Sequence, residues 1–167
     1  MEKQQRLSHK VNEHGNIEIQ IVTDYLKDGV IISQDYSNPM SPADTSKMDG
    51  WDDRTKEIAE AITDSKVVAD FATEKQEPTG IGIEEIISYE REIEEDGKIA
   101  VYMITRIFDE GKQISRQPCL SWIMPGDDSS KADVMSKALA EKLHTTEVVA
   151  AYVASQAELE AENVAEK

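Results

Sequence analysis

The chain has 167 residues, of which 39% are hydrophobic and only 5% aromatic; that fits one domain or two very small ones, each with a thin core. Acidic residues outnumber basic ones 34 to 18, a net charge of −16, and such a surface repels phosphate backbones, which argues against direct nucleic-acid binding. A single cysteine, Cys119, excludes an internal disulfide and any cysteine-based metal site.

The acidity is not a tail. Residues 1–78 carry −7 and residues 79–167 carry −9. Spread charge of this kind keeps a protein soluble; it could also imitate nucleic acid toward a basic partner. The first ten residues, MEKQQRLSHK, hold no apolar signal core, and no run is long enough to span a membrane. The expectation is a protein made and folded in a cytoplasm, without a membrane partner.

In chain order, residues 7–13, 17–26 and 30–36 alternate or are rich in β-branched residues, as half-buried strands are. Short turns separate them, His14-Gly15-Asn16 and Lys27-Asp28-Gly29. Glycine supplies the positive φ that tight hairpins demand, so Gly15 and Gly29 are read as structural turn residues. A loop rich in Pro, Asp and Ser follows at 37–50. Next comes a helix with Ile58, Ala61 and Ile62 at i, i+3, i+4 spacing, a break at Thr63-Asp64-Ser65, and a second helix carrying Val67, Val68 and Phe71. Pro78, Gly80 and Gly82 mark a linker.

The pattern then recurs. Strands are predicted at 87–95, 98–108 and 112–118, with turns at Gly97 and Gly111. After a loop at 124–130 a helix carries Met135, Leu139 and Leu143 at spacing four; a break at His144-Thr145-Thr146 leads to a helix with Val148, Val149 and Tyr152. Sliding the chain by 82 pairs 7–33 with 89–115 without a gap, and aligns Glu13 with Glu95, Gly15 with Gly97, Thr23 with Thr105 and Gly29 with Gly111. Sliding it by 81 pairs IAEAITDSKVVADF (58–71) with LAEKLHTTEVVAAY (139–152), and Pro42 and Asp44 match Pro125 and Asp127 at 83. Two blocks in the same order argue for duplication. The fold expected is α+β, as two tandem repeats, each a three-stranded antiparallel β-meander followed by a helical pair. The first repeat takes 1–76, the linker 77–84, and the second repeat 85–167, ending in an acidic helix expected to fray or to be ordered only by a neighbour.

No catalytic, cofactor or metal residue is assigned. His9, His14 and His144 have no ligand spacing and are read as surface or capping residues. Cys119 lacks a paired base and is read as a buried structural thiol. Asp127-Asp128 precedes a helix, so capping is the simpler role than metal or hydrolytic chemistry. No P-loop, dinucleotide-binding glycine motif, nucleophile elbow or zinc helix occurs. The candidate interface residues are Trp51, in a polar loop, Trp122, in the apolar run LSWIM and so core or interface, and Tyr152.

The stretch Phe108 to Tyr152 joins FDEGKQISRQ to Pro125-Gly126-Asp127-Asp128 and to Thr146-Glu147-Val148-Val149-Ala150-Ala151-Tyr152. It resembles small uncharacterised proteins of tailed bacteriophages. The first copy, Leu26 to Phe71, carries Pro42-Ala43-Asp44 in place of Pro-Gly-Asp-Asp. The resemblance implies a non-enzymatic virion structural or accessory protein, a head decoration or a tail or baseplate component. Its partners would be other phage structural proteins, in a homo-oligomer or array, and its site the virion. It carries over no active-site residue. Two readings compete: an acidic inhibitor that mimics nucleic acid toward a host nuclease or polymerase, and an assembly chaperone absent from mature particles.

Overall fold

The structure is a computed structural model that describes residues 2–36 and 52–165. It is α+β. Six antiparallel strands and four helices follow in the order β1 (Glu2–Val11), β2 (Ile17–Lys27), β3 (Val30–Tyr36), α1 (Asp53–Thr63), α2 (Ser65–Glu74), β4 (Ile83–Ile93), β5 (Ile99–Asp109), β6 (Lys112–Ile123), α3 (Val134–Leu143) and α4 (Thr146–Ala165). The strands form one sheet in the order β3-β2-β1-β4-β5-β6, curled into a half-barrel.

Turn chemistry makes the hairpins. β2 and β3 are joined by Asp28 and Gly29 alone, and β5 and β6 by Glu110 and Gly111. All four have positive φ: 56° and 79°, 46° and 78°. That is the type I′ geometry whose twist matches flanking strands. Only glycine takes the second of these positions without a Cβ penalty.

The first strand of each meander is longer than the alternation predicts. β1 starts at Glu2, and β4 starts at Ile83, inside the predicted linker. β6 runs on to Ile123, so LSWIM is largely strand. Cross-strand pairing to β2 and β5 holds these polar starts extended.

The two meanders meet at a narrow crossing. β1 and β4 pair antiparallel only through His9↔Ile93, Lys10↔Glu92 and Val11↔Arg91. Lys10 and Glu92 are 82 residues apart, the same offset that aligns the two halves in sequence. Beyond this crossing the strands part. β4 then has β5 on one side only from Ile83 to Glu90, and β1 has β2 only from Glu2 to Ser8.

Alternation puts odd-numbered residues of the four inner strands toward the helices. Val11, Ile17, Ile19, Ile93, Ile99 and Val101 there share one core with Ile58, Ala61 and Ile62 of α1 and Met135, Leu139 and Leu143 of α3. Helices α1 and α3 also pack on each other. Ile58 and Leu139, 81 residues apart, are both fully buried. The opposite face buries a smaller set, Val22, Ile86, Ala100 and Ile104, none of it in the helix-side core. Long neighbours two residues away on the same face, such as Tyr102 and Arg106 beside Ile104, shield it with their stems.

Acidic side chains start the helices. Asp52 caps α1 by accepting from the Thr55 amide at 3.0 Å; Asp133 caps α3 by accepting from the Ser136 amide at 3.1 Å. Asp64 caps α2, accepting from the Lys66 and Val67 amides. The expected break at 63–65 is therefore real. Asp127 and Asp128 do not cap a helix as expected. Asp127 folds its own turn by accepting from the Met124 amide at 2.8 Å, and Asp128 accepts from the Ser130 amide at 2.9 Å; the helix they precede starts six residues later, beyond the reach of a short side chain. The acidic C-terminal stretch is part of α4, which runs to Ala165.

Candidate functional site

Two polar clusters, buried except for Asp52, flank the strand crossing. In the first, the His9 Nε2–H donates to Thr55 Oγ1 at 2.7 Å, and the Thr55 hydroxyl donates to Asp52. In the second, Arg91 donates through Nε to Ser136 Oγ at 3.1 Å and through Nη2 to Asp133. The members correspond at the sequence offsets of 82 and 81: His9 with Arg91, Asp52 with Asp133, Thr55 with Ser136. His9, Thr55, Arg91, Asp133 and Ser136 are all buried. Asp133 Oδ2 has no partner among the described residues.

Burial lowers the His9 pKa, helped by the nearby Arg54 cation and opposed by the Asp52 carboxylate. Burial would raise the Asp52 pKa, but the Thr55 hydroxyl and amide outweigh it and hold the carboxyl below its ordinary range. The cluster does not set up a nucleophile. The Thr55 proton points to Asp52 and not to an imidazole lone pair, and the hydroxyl is shielded from any substrate. Its chemistry is to join a strand to a helix cap.

Beside each cluster the parted strands leave a slot. The first, of about 280 Å3, lies along the free edge of β4. Ile87 and Tyr89 line it from the helix side and Ser88, Arg106 and Phe108 from the other. Glu13 and His14 of the β1–β2 turn close one end, and Phe71 with residues 74–78 closes another. The second slot, of about 530 Å3, lies along the free edge of β1. Gln5, Leu7 and His9 line it, with Glu94 and Glu95 from the β4–β5 turn and Asp52 and Arg54 from the start of α1. Each slot is thus closed by the hairpin turn of the opposite half.

Charges in the first slot are mostly paired. Arg106 sits 2.5 Å from Glu13, whose carboxylate also accepts from Ser88 Oγ at 2.9 Å. Burial would raise the Glu13 pKa, but Ser88 and Arg106 hold it below the ordinary value. Lys75 pairs with Glu77 at 2.6 Å. Glu74 differs: it accepts from the Val134 amide at 3.3 Å, and among the described residues no cation lies within ion-pair distance of it. Burial raises its pKa, and the Asp133 carboxylate adds to the rise.

The outer edges of the sheet form a second candidate surface. On β3 Val30, Ile31 and Ile32 are 64%, 49% and 55% exposed. On β6 Ile114, Leu120 and Trp122 are exposed. The two edges differ in how they are guarded. β6 carries Lys112, Arg116 and Pro118, and Lys and Pro on an edge discourage further strand addition. From Val30 to Gln34 β3 carries neither a charge nor a proline.

Of the candidate interface residues, Trp51 lies outside the described residues, as do Pro42 and Asp44. Trp122 is 41% exposed on the face away from the helices, with the Lys98 ammonium 5.7 Å from its ring centre; it belongs to a surface and not to the core. Tyr152 is half-buried on α4, its hydroxyl 3.4 Å from Met124 Sδ. Trp122 lies on β6, at the end of the sheet opposite β3. Gly15, Gly29, Gly97 and Gly111 all take positive φ in turns.

Two assignments are corrected. Cys119 is exposed, because β6 is an edge strand whose helix-facing side lies beyond the helices. His9 is buried and not a surface residue, because it faces the cap of α1. Arg91, which the sequence did not single out, is fully buried. The signal that could have found the clusters was present: Asp-x-x-Thr at 52–55 and Asp-x-x-Ser at 133–136 are N-cap patterns at the repeat offset.

Among the described residues no three His, Cys, Asp or Glu side chains converge to hold a metal ion, and no helix is long and apolar enough to cross a membrane. No family model, no curated protein and no solved structure matches the chain.

Proposed function

We propose that the chain is a non-enzymatic structural or accessory protein of a bacteriophage virion, a head decoration or a tail or baseplate component, built from two copies of one β-meander module. The observation that carries the reading is the outer edge β3, with three consecutive exposed apolar residues, Val30 to Ile32, and neither charge nor proline from Val30 to Gln34. An unguarded edge offers backbone donors and acceptors to a strand of another subunit. Duplication is supported by the Lys10–Glu92 crossing and by the two clusters, each an Asp, a hydroxyl and a basic side chain, at matching offsets.

Assembly with itself or with other virion proteins would proceed at β3. The test is co-sedimentation of the tagged chain with particles from a phage lysate, at low and high salt. Retention at high salt, lost in Ile31→Lys/Ile32→Lys, is the expected result. Recovery of a basic nuclease or polymerase that leaves as salt rises would replace this reading with nucleic-acid mimicry. Presence in assembling but not mature particles would make the chain an assembly chaperone.

A further inference from the structure

We propose that the slot on the free edge of β4 binds an extended peptide segment and seats one Lys or Arg side chain of it against Glu74. The inference rests on the reading of the chain as a protein-binding module and names the partner's chemistry. The first argument is the backbone. From Ile83 to Glu90 β4 has a neighbour on one side only, so its other edge offers alternate N–H and C=O groups at Glu85, Ile87 and Tyr89. Side chains of this chain stand in for the absent strand. Gln76 Oε1 accepts from the Ile87 amide at a long 3.5 Å, and Arg91 Nη1 donates to the Tyr89 carbonyl at 3.1 Å. The Gln76 contact is weak enough for a peptide carbonyl to replace it.

The second argument is charge. Each cation lining the slot, Lys75 and Arg106, is already paired, with Glu77 and Glu13. Glu74 is left as a half-buried carboxylate without an ion-pair partner. Phe71, one turn before it, presents an aromatic wall, which favours a cation over an anion; Tyr89 lines the other side, its ring already within 5.8 Å of the Arg91 guanidinium. His14 and Ser88 complete the rim. A space of about 280 Å3 is at the lower limit of drug-sized pockets and suits one long side chain threaded beside a strand. The burial-raised pKa of Glu74 fits a carboxylate that gains from an incoming ammonium or guanidinium.

The test titrates the full chain with three probes, followed by backbone amide NMR: the capped peptide Val-Thr-Lys-Thr-Val, its Glu-centred counterpart, and lysine amide alone. The Lys peptide should give saturable shifts at the Glu85, Ile87 and Tyr89 amides. The Glu peptide should bind at least about tenfold more weakly, and Glu74→Gln should weaken the Lys peptide about tenfold, the loss of one charge-assisted hydrogen bond. Gln76→Ala, which frees the Ile87 amide, should tighten it severalfold. Equal binding of the Lys and Glu peptides by the unmutated chain, or no saturable shift at the β4 amides, would overturn the proposal. Lysine amide binding as tightly as the peptide would overturn the strand-pairing part and leave a small-amine site. The β3 edge is untouched by Glu74→Gln, so particle co-sedimentation and peptide binding can fail independently.

Discussion

Replacing Arg91 by Met tests the second polar cluster most directly. Arg91 is fully buried, and its guanidinium donates to Asp133, to Ser136 Oγ and to the Tyr89 carbonyl. Methionine fills most of the stem volume but leaves the Asp133 carboxylate buried and charged, held by little more than the Ser136 amide. Removing one partner of a buried ion pair costs about 3–5 kcal/mol. In a chain of this length that lowers Tm by about 10 °C. The double variant Arg91→Met/Asp133→Asn keeps an N-capping side chain but buries no charge, so it should recover about half of the loss. Urea unfolding of the three proteins measures this. A loss below about 1 kcal/mol in the single variant is the range of solvated surface pairs and would refute the claim that the cluster is dry. A double variant less stable than the single would show that the charge is not what destabilises it.

The first cluster makes a pH prediction. Because burial lowers the folded-state pKa of His9, the unfolded chain binds its proton first as pH falls below about 6.5. Stability from this site is therefore complete above that value and declines as pH drops toward the folded pKa; the urea midpoint between pH 7 and 5 should fall more steeply in the unmutated chain than in His9→Gln. Ile58→Ala and Leu139→Ala open cavities at matching positions of the packed pair α1 and α3, and each should cost about 2–5 kcal/mol, whereas Val68→Ala, on an exposed face, should change stability by less than about 0.5 kcal/mol; a chemical-denaturation series that reverses this order would displace the core. Cys119 should react stoichiometrically with a thiol reagent in the native protein, and protection until denaturant is added would contradict its place on the β6 edge.

Local patterns revealed the elements because each has a local cause. Asp28-Gly29 and Glu110-Gly111 announce tight hairpins, and the spacing of Ile58, Ala61 and Ile62 announces the buried stripe of α1. The spacing of Met135, Leu139 and Leu143 does the same for α3. The single sheet was not legible, since pairing of His9–Val11 with Arg91–Ile93 joins residues about 80 apart and leaves no short-range trace. Strand starts were read too late because polar residues such as Gln4 and Glu84 are held extended by neighbours, not by preference. Burial of Arg91 was hidden for a related reason: its partners Asp133 and Ser136 come from a distant helix start. Cys119 misled because thiols are usually interior, and only the strand order places β6 at the rim.

The narrow crossing has a consequence for how the molecule forms. Every strand pair except β1–β4 joins neighbours in sequence, so each meander can close its hairpins at small entropic cost. Registering Lys10 against Glu92 must wait for a loop of about 80 residues to close. The two three-stranded units should therefore be ordered in the folding transition state while the crossing and the contact between α1 and α3 form after it. Kinetic φ-values near zero at Leu139, beside high values at Ile19 and Val101, are what this sequence of events requires.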